Sequence, residues 1–535
     1  MKKLPLGIQN FRKIIEGGYV YVDKTQYIYN LINDASYYFL SRPRRFGKSL
    51  LLDTIGEAFS GEPELFKGLF LYDSDHNFEK HPVLHLDMSN IANETPEILK
   101  DKLSKALYKL VKKEGLDVDN DLPSEMFKNT IEGLFNKYGK GVVVLIDEYD
   151  KPIIDRLKNM DTAKANREIL RDFYGILKSM DPFLRFTFIT GITKFTKTSI
   201  FSGLNNLYDI TLADDYSNIC GITSGDLNKY FNEHIEYLSS LSRFSQYESL
   251  YTKILEWYDG YSWDGSTRVI NPFSLLSFFA RKEFLCFWYS SGTPAFLMDM
   301  IKKDPEAYIS LKNLKITELM LDTTDLEEID AQLLLFQTGY LTVKDVMTTK
   351  SSDIYILDMP NFEVRESFNL HVVTAFTGKK QPYVKQAQLD IDEALQKNDM
   401  NRVLEIFRGL FASIPYELHI AREAYYHSIF YAIMNILGFE VVAEVSVAGG
   451  RVDAVLDLGD KVYVIEFKYE KCPENAAAEE KQMLFARAMQ NGMKQIEDRG
   501  YAKKYIGSGK AIHQVVFAFL GRNDIDMLTR DVPIA

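Results

Sequence analysis

Cysteine is scarce in this chain of 535 residues, which contains Cys220, Cys286 and Cys472. The three lie far apart, so they form neither a disulfide framework nor the paired spacing of a zinc site. This usage fits a reducing compartment, because disulfides persist mainly in oxidising ones. The segment after Met1 lacks the apolar stretch of a signal peptide, and no apolar run approaches the roughly 20 residues of a membrane-spanning helix. We therefore expect a cytoplasmic protein with no membrane partner.

An excess of basic residues is also missing. Lys and Arg number 63 against 75 Asp and Glu, which gives a formal net charge of −12. This balance excludes a globally basic nucleic-acid binder, but it leaves room for a local basic groove, because a ligand responds to the field at its site. The proportions of hydrophobic and charged residues, 46% and 26%, are those of an ordinary globular protein. The length predicts about three domains.

Residues 1–215 alternate short apolar segments with helical ones. The predicted strands lie at 37–40, 83–87, 141–148 and 186–191, with helices such as 97–113 and 164–178 between them. Apolar strands separated by helices indicate an α/β domain with a parallel sheet that is covered on both faces.

Two further domains are predicted. Residues 216–385 are mostly helical, but a helix ending near Phe336 is followed by strands at 340–345 and 353–358, which suggests a winged-helix-like piece. The stretch 378–382 (GKKQP) reads as a linker. The last domain, 386–535, shows the order α-β-β-β-α-β. Its helices are predicted at 391–411, 422–437 and 474–498, and its strands at 439–447, 451–458, 461–468 and 512–520.

Residues 42–49 (RPRRFGKS) follow an apolar strand and precede a helix, as a phosphate-binding loop does. Backbone N–H groups and the helix N-terminus would surround the phosphates, with Lys48 on the β- and γ-phosphates and Ser49 on Mg²⁺. Arg42 replaces the usual first glycine, and a lone Gly-Lys-Ser also occurs by chance. The expected nucleotide-binding residues of the loop are Arg44, Arg45, Phe46, Gly47, Lys48, Ser49 and Leu50. For the two arginines, phosphate contact and solvation both stay open.

Later residues strengthen the case for a nucleotide site. Asp147 ends a β-branched run and would hold Mg²⁺, while Glu148 beside it would polarise the attacking water. Thr190, at the end of the next strand, would sense the γ-phosphate. The alternative is a buried strand that ends in two solvated acids.

A second candidate site lies near the C-terminus. Asp453 follows Gly450-Arg451-Val452, and Glu466 and Lys468 leave one face of the next predicted strand. Two carboxylates on adjacent strands bind hard divalent cations, and a lysine beside them can orient a water. The alternative is a surface strand whose charges face solvent. The upstream Asp453 and the element order favour a Mg²⁺ site.

Several motifs together resemble one known family. They are residues 21–25 (YVDKT), 42–49 (RPRRFGKS), 146–152 (IDEYDKP), 190–195 (TGITKF), 288–294 (WYSSGTP) and 336–340 (FQTGY). This set resembles the AAA-ATPase-like proteins, which in bacteria occur fused to a PD-(D/E)XK nuclease-like domain. The resemblance covers nearly the whole chain and implies ATP and Mg²⁺ as cofactors. An arginine at the first glycine position looks normal for this family.

The resemblance also extends the C-terminal site. Asp453, Glu466 and Lys468 correspond to the catalytic set of a PD-(D/E)XK core. That core often takes a further acid from the preceding helix; Glu423 fits, and Glu444 on the first strand is its rival. Gln495 matches the glutamine often found in the following helix, and Tyr501 is a weaker addition.

The leading hypothesis is an ATP-dependent or ATP-regulated nuclease with Mg²⁺ at both sites and DNA as the favoured substrate. A second hypothesis is a nucleotide-dependent switch or scaffold whose nuclease-like domain binds nucleic acid or protein without cutting. A third keeps ATP hydrolysis as the activity and assigns substrate recognition to the C-terminal domain. AAA-type relatives often form rings, so a homo-oligomer is one expectation.

Overall fold

The computed structural model describes residues 1–118, 122–194, 200–201, 204, 206–288, 298, 311, 314–322, 331–350, 352–412, 429–430, 432–434, 445–447, 450–473, 475–521 and 524–532. The chain divides into two compact units. The first unit comprises Met1–Ser291 and Asn313–Glu363, and the second comprises Gly292–Lys312 and Val364–Ala535. This division into two units does not test the predicted domain boundaries near residues 215 and 385, which stay predictions.

The first unit is built on a five-stranded sheet. Its strands are β1 (Tyr37–Ser41), β2 (Val83–Asp87), β3 (Val142–Asp147), β4 (Leu184–Gly191) and β5 (Tyr208–Asp209). They lie in the order β2-β3-β4-β1-β5, and all neighbouring pairs are parallel. Every residue of β1 and β3 is buried, as their continuous apolar sequences require in a sheet covered on both faces. The predicted parallel α/β sheet is therefore confirmed.

Helices cover both faces of this sheet. They are α1 (Phe11–Glu16), α2 (Thr25–Asp34), α3 (Lys48–Ala58), α4 (Phe70–Asp73), α5 (Pro96–Lys113), α6 (Pro123–Tyr138), α7 (Lys151–Ile154) and α8 (Met160–Ser179). Short 3₁₀ helices occur at Pro63–Phe66, Met88–Asn90, Asp181–Phe183 and Asp214–Tyr216. On one face, Leu103, Phe127 and Phe173 pack with Val144 and Ile189 in a single apolar core. The phosphate loop runs from β1 into α3, and the carboxyl ends of β1, β3 and β4 lie at the same edge of the sheet.

The rest of the first unit combines helices with a small sheet. Its helices are α9 (Ser224–Ser239), α10 (Leu250–Tyr258), α11 (Pro272–Arg281), α12 (Glu318–Asp322) and α13 (Ala331–Thr338), with a 3₁₀ helix at Ser242–Phe244. The strands β6 (Leu314–Thr317), β7 (Thr342–Thr348) and β8 (Asp353–Asp358) form an antiparallel sheet in the order β6-β8-β7. The helix and hairpin lie where the sequence predicted them, and β6 adds a strand that the sequence did not suggest.

The second unit contains helices and a mixed sheet. Its helices are α14 (Phe362–Thr377), which begins two residues before the division, α15 (Gln381–Gln396), α16 (Met400–Phe411) and α17 (Ala478–Asp498), with a 3₁₀ helix at Tyr501–Tyr505. Its strands are β9 (Val445–Val447), β10 (Gly450–Val452), β11 (Ala454–Asp457), β12 (Lys461–Glu470), β13 (Ala511–Leu520) and β14 (Asp524–Val532). The main sheet has the order β11-β12-β13-β14, with only β12 and β13 parallel, while β9 pairs with β10.

Three details of the second unit differ from the predictions. The predicted helix 391–411 is two helices, because Asn398 takes a left-handed φ of 55° and Asp399 caps α16 by accepting a hydrogen bond from Arg402 N at 3.0 Å. The predicted strand 451–458 is divided at Asp453, where the chain leaves β9 and begins to pair with β12. The edge strand β14 was not predicted.

Most of the predicted helix 422–437 and the start of the strand 439–447 lie outside the described residues. In the part of the chain that the structure describes, no helix combines the length and apolar character that a membrane crossing requires.

Candidate functional site

Lys48 begins α3 and is folded back onto its own loop. Its Nζ donates to the carbonyl oxygens of Arg42 and Pro43, at 2.9 and 3.0 Å. Gly47 before it has a φ of 92°, a left-handed value that favours glycine. Burial lowers the pKa of Lys48, and the nearby carboxylate of Asp147 opposes this. The lysine is thus held beside the helix N-terminus, where a phosphate would be met by both positive groups.

Arg42, at the position of the missing glycine, is a buried structural residue. Its guanidinium donates to the carbonyl oxygens of Ser41, Thr211 and Tyr216 at 2.8–3.2 Å. It also lies 3.9 Å from the ring centroid of Trp263, and burial lowers its pKa to about 10. Arg42 therefore fixes the base of the loop without facing a ligand.

A polar cavity of about 330 Å³ opens beside the loop. The residues that line it include Arg44, Arg45, Lys48, Ser49, Glu148 and Lys151. Four of these side chains are basic, so the cavity suits a polyphosphate. Arg45 is exposed, with its guanidinium 4.7 Å from the ring centroid of Phe273.

An apolar cavity of about 110 Å³ shares Gly47 and Leu50 with the polar one. Its walls include Val20, Tyr21, Phe46, Ile222 and Leu276. The ring of Phe46 also packs edge-to-face on Tyr261 and Trp263, with centroids 4.7 and 5.4 Å away. Together the two cavities offer a nucleotide an apolar place for its base next to a cationic place for its phosphates. The residues present therefore fit ATP.

Asp147 and Glu148 lie where β3 ends. Asp147 is buried and its Oδ1 accepts a hydrogen bond from Glu148 N at 2.9 Å. Glu148 has a left-handed φ of 51°, which is uncommon for a side chain other than glycine, asparagine or aspartate and often marks a functional site. Burial raises the pKa of Glu148, and Lys48 partly offsets the rise. A carboxylate with a raised pKa is a better proton acceptor near neutral pH.

Asp150 and Thr190 join the ends of neighbouring strands. Asp150, which the sequence analysis did not assign to the site, is buried and accepts three hydrogen bonds of 2.6–3.0 Å from Ile192 and Thr193, just after β4. The sequence signal that could have assigned Asp150 to the site was its place in the 146–152 motif. Thr190 is also buried, and its hydroxyl donates to Leu40 O at 2.7 Å in β1. Its predicted role as a γ-phosphate sensor stays a prediction.

The C-terminal candidate residues come together on β12 and its neighbours. Ala454 pairs with Ile465, so Asp453 lies next to Glu466 at the end of that ladder. Asp453 Oδ2 accepts a hydrogen bond from Phe467 N at 2.8 Å. The Glu466 side chain is 1% exposed, and Lys468 Nζ lies 2.9 Å from its Oε1.

Helix α17 supplies the next partners. Gln495 Nε2 donates to the same Glu466 oxygen. One turn further, Arg499 donates to the hydroxyl of Tyr501 at 2.9 Å. The sequence analysis did not assign Arg499 to the site, although its spacing of four residues from Gln495 indicated a shared helix face.

The predicted further acid, Glu423, and its rival Glu444 lie outside the described residues. Among the residues that are described, no three His, Cys, Asp or Glu side chains gather as a metal-binding group. Asp453 and Glu466 would nevertheless fit Mg²⁺, because they offer oxygen ligands from adjacent positions and the buried Glu466 carboxylate is held in place by Lys468 and Gln495.

Comparison with known proteins agrees with this geometry. Residues 5–201 match the family described as a predicted AAA-ATPase, and residues 421–527 match the PD-(D/E)XK nuclease superfamily. The fold and the two sites thus define a P-loop ATPase-like domain joined to a nuclease-superfamily domain.

The chain is also 36% identical over 519 residues to the "Uncharacterized protein in vnfD 5'region" of Azotobacter chroococcum mcd 1, and the match covers 96% of this chain and 95% of that relative. The chain belongs to the family of AAA-ATPase-like proteins with a C-terminal PD-(D/E)XK domain.

Proposed function

We propose that the protein binds and hydrolyses ATP, and that its C-terminal domain cuts nucleic acid with Mg²⁺ under nucleotide control, with DNA as the favoured substrate. The observation that supports cleavage best is the convergence of Lys468 and Gln495 on the buried carboxylate of Glu466. A domain that only binds needs no buried acid with a lysine and an amide fixed against it.

At the C-terminal site, Asp453 and Glu466 would hold the cation. When bound, Mg²⁺ stabilises charge on the phosphate and lowers the pKa of a water. Lys468 projects from the same strand face as Glu466, so its ammonium can orient the attacking water or donate to the charged phosphate oxygens. Gln495 keeps the Glu466 carboxylate in one orientation.

At the N-terminal site, Lys48 exchanges its two carbonyl acceptors for phosphate oxygens when nucleotide enters. This exchange replaces neutral acceptors by anionic ones, which adds charge–charge attraction to the hydrogen bonds of the ammonium. Glu148 then orients a water, and its raised pKa suits it as a proton acceptor. Ser49 and Asp147 would hold Mg²⁺.

The test is cleavage of a panel of single- and double-stranded DNA and RNA by the full-length protein, with Mg²⁺, with and without ATP. We expect cleavage that depends on the metal, changes with ATP, and falls at least 100-fold in Glu466→Gln. The matched control is Glu470→Gln, on the same strand, where Glu470 pairs with Arg487 at 2.9 Å; this variant should cut like the wild type. Absence of cleavage on every substrate, by a protein that still binds ATP, would contradict the nuclease proposal.

A further inference from the structure

We propose that Arg499 binds a backbone phosphate of the nucleic acid at the C-terminal site, an inference that rests on the proposed nuclease function. Arg499 immediately follows α17, whose last turn carries Gln495. Residues four apart share a helix face and differ by about 6 Å along the axis. Because Gln495 reaches Glu466, Arg499 lies one turn beyond the acids on the side that faces them.

The hydrogen bonds of Arg499 leave most of its donors available. Its Nη1 donates to the Tyr501 hydroxyl at 2.9 Å, and Tyr501 is itself almost completely buried. Within the described residues, Arg499 forms no ion pair with a carboxylate. Arg487 on the same helix differs, because it pairs with Glu470 at 2.9 Å. A guanidinium held at one nitrogen by a rigid phenol keeps its outer N–H groups for an anion.

The electrostatics of the site agree with this placement. The hydrogen bond to Tyr501 raises the pKa of Arg499, and the carboxylates of Glu466 and Asp453 add to the rise. These acids would repel a polyanion, and so would the net charge of the whole chain, −12. A cation at the edge of the acids offsets that repulsion locally, and the guanidinium fork matches two phosphate oxygens.

A purely structural role is the competing explanation. Arg499 is at the C-terminus of α17, where a cation also stabilises the helix dipole. The two roles differ in their salt dependence. A phosphate contact contributes counterion release, so its loss changes the slope of log affinity against log salt, whereas a helix-end contact does not.

The experiment measures binding of a fluorescein-labelled DNA oligonucleotide to full-length protein by anisotropy, in Ca²⁺ to prevent turnover, from 50 to 300 mM KCl. We expect Arg499→Gln to reduce the log–log slope by about 1, with weaker binding at low salt. Arg499→Lys should restore most of the slope because it keeps the charge. Arg487→Gln, about 18 Å away along the same helix, should leave the slope unchanged.

Each outcome decides the question. Equal slopes for the wild type and Arg499→Gln, with wild-type cleavage intact, would overturn the role of Arg499 and leave the nuclease proposal standing. A weaker affinity with an unchanged slope would assign Arg499 to the structure of α17. Neither binding nor cleavage by the wild type would overturn both proposals. If Arg499→Gln does not fold, Arg499→Met keeps the aliphatic stem and must show the same loss of slope.

Discussion

Arg42 stands where the usual phosphate loop has its first glycine, and its side chain is held there by hydrogen bonds to the backbone. Its guanidinium bonds three backbone carbonyls and stacks on Trp263 in a site that excludes solvent. Buried arginines are usually paired with acids, but carbonyl oxygens compensate the charge here. The cost of removing the side chain is therefore high, because three buried acceptors would lose their donor.

We predict that Arg42→Met destabilises the first unit by about 2–4 kcal/mol, since the side-chain volume is retained but the buried carbonyls become unsatisfied. Urea unfolding followed by tryptophan fluorescence measures this, and Trp263 reports on the site directly. Arg243→Met is the control, because Arg243 forms a half-exposed pair with Glu283 and such pairs contribute little. A wild-type urea midpoint for Arg42→Met would contradict the structural role.

At the scale of elements, continuous apolar runs were the most informative part of the sequence. The strands β1 and β3 are buried throughout, and their runs predicted both the strands and the edge at which the phosphate loop and Asp147 lie. The sequence did not indicate β14 because polar residues interrupt its apolar pattern. A strand at the edge of a sheet, as β14 is beside β13, tolerates such residues.

Side-chain direction was harder to predict than position. The spacing of Glu466 and Lys468 correctly predicted a shared face, because a strand alternates its sides strictly. Loops follow no such period. The ring of Phe46 packs in an aromatic cluster and also lines the apolar cavity, and the hydroxyl of Thr190 donates to β1. Neither side-chain direction could be predicted from the sequence, and the predicted ligand roles of both residues stay predictions. The exchange of partners at Asp453 also depends on tertiary pairing, which local sequence does not encode.

Gly492 lets α17 approach the sheet closely. A Cβ added there would lie 2.6 Å from Val516 Cγ1 and 3.3 Å from Lys468 Cγ. We predict that Gly492→Ala shifts α17 away, separates Gln495 from Glu466 and destabilises the second unit by about 1–3 kcal/mol, although alanine favours helices. Thermal unfolding and cleavage rate measure the two effects.

The double variant Gly492→Ala/Val516→Ala tests the cause, because the smaller side chain makes room for the new methyl group. The decrease in its thermal unfolding midpoint should be smaller than the sum of the decreases that the two single substitutions cause. Gly175→Ala is the control in α8, where an added Cβ meets nothing within 4 Å, and it should stabilise by about 0.5–1 kcal/mol. Strict additivity in the double variant would mean that the clash is not the cause.

At the scale of the whole molecule, hydrogen bonds connect the phosphate loop to Glu363, the last residue of the first unit. Trp288 Nε1 donates to Arg44 O in the loop at 3.3 Å, and Trp288 N donates to Glu363 Oε1 at 2.7 Å. Glu363 is buried, and the longer segment of the second unit, Val364–Ala535, begins at the next residue. A change in the loop therefore has a short route of contacts to the point where the chain enters the nuclease-like unit.

We predict that Trp288→Phe weakens the proposed nucleotide control of cleavage while ATP binding is retained. Phenylalanine keeps an aromatic ring beside Gly339 and Tyr340 but has no Nε1 donor for Arg44 O. Because a ligand shifts an equilibrium only through contacts that differ between states, loss of this donor should reduce the ratio of cleavage rates with and without ATP.

Two variants serve as controls for this prediction. Lys48→Ala, which should not bind ATP, sets the limit of no response. Trp257→Phe is the matched control, since Trp257 packs on Phe362 with centroids 4.7 Å apart. A full ATP response in Trp288→Phe would exclude this route and leave the coupling to another path through the first unit.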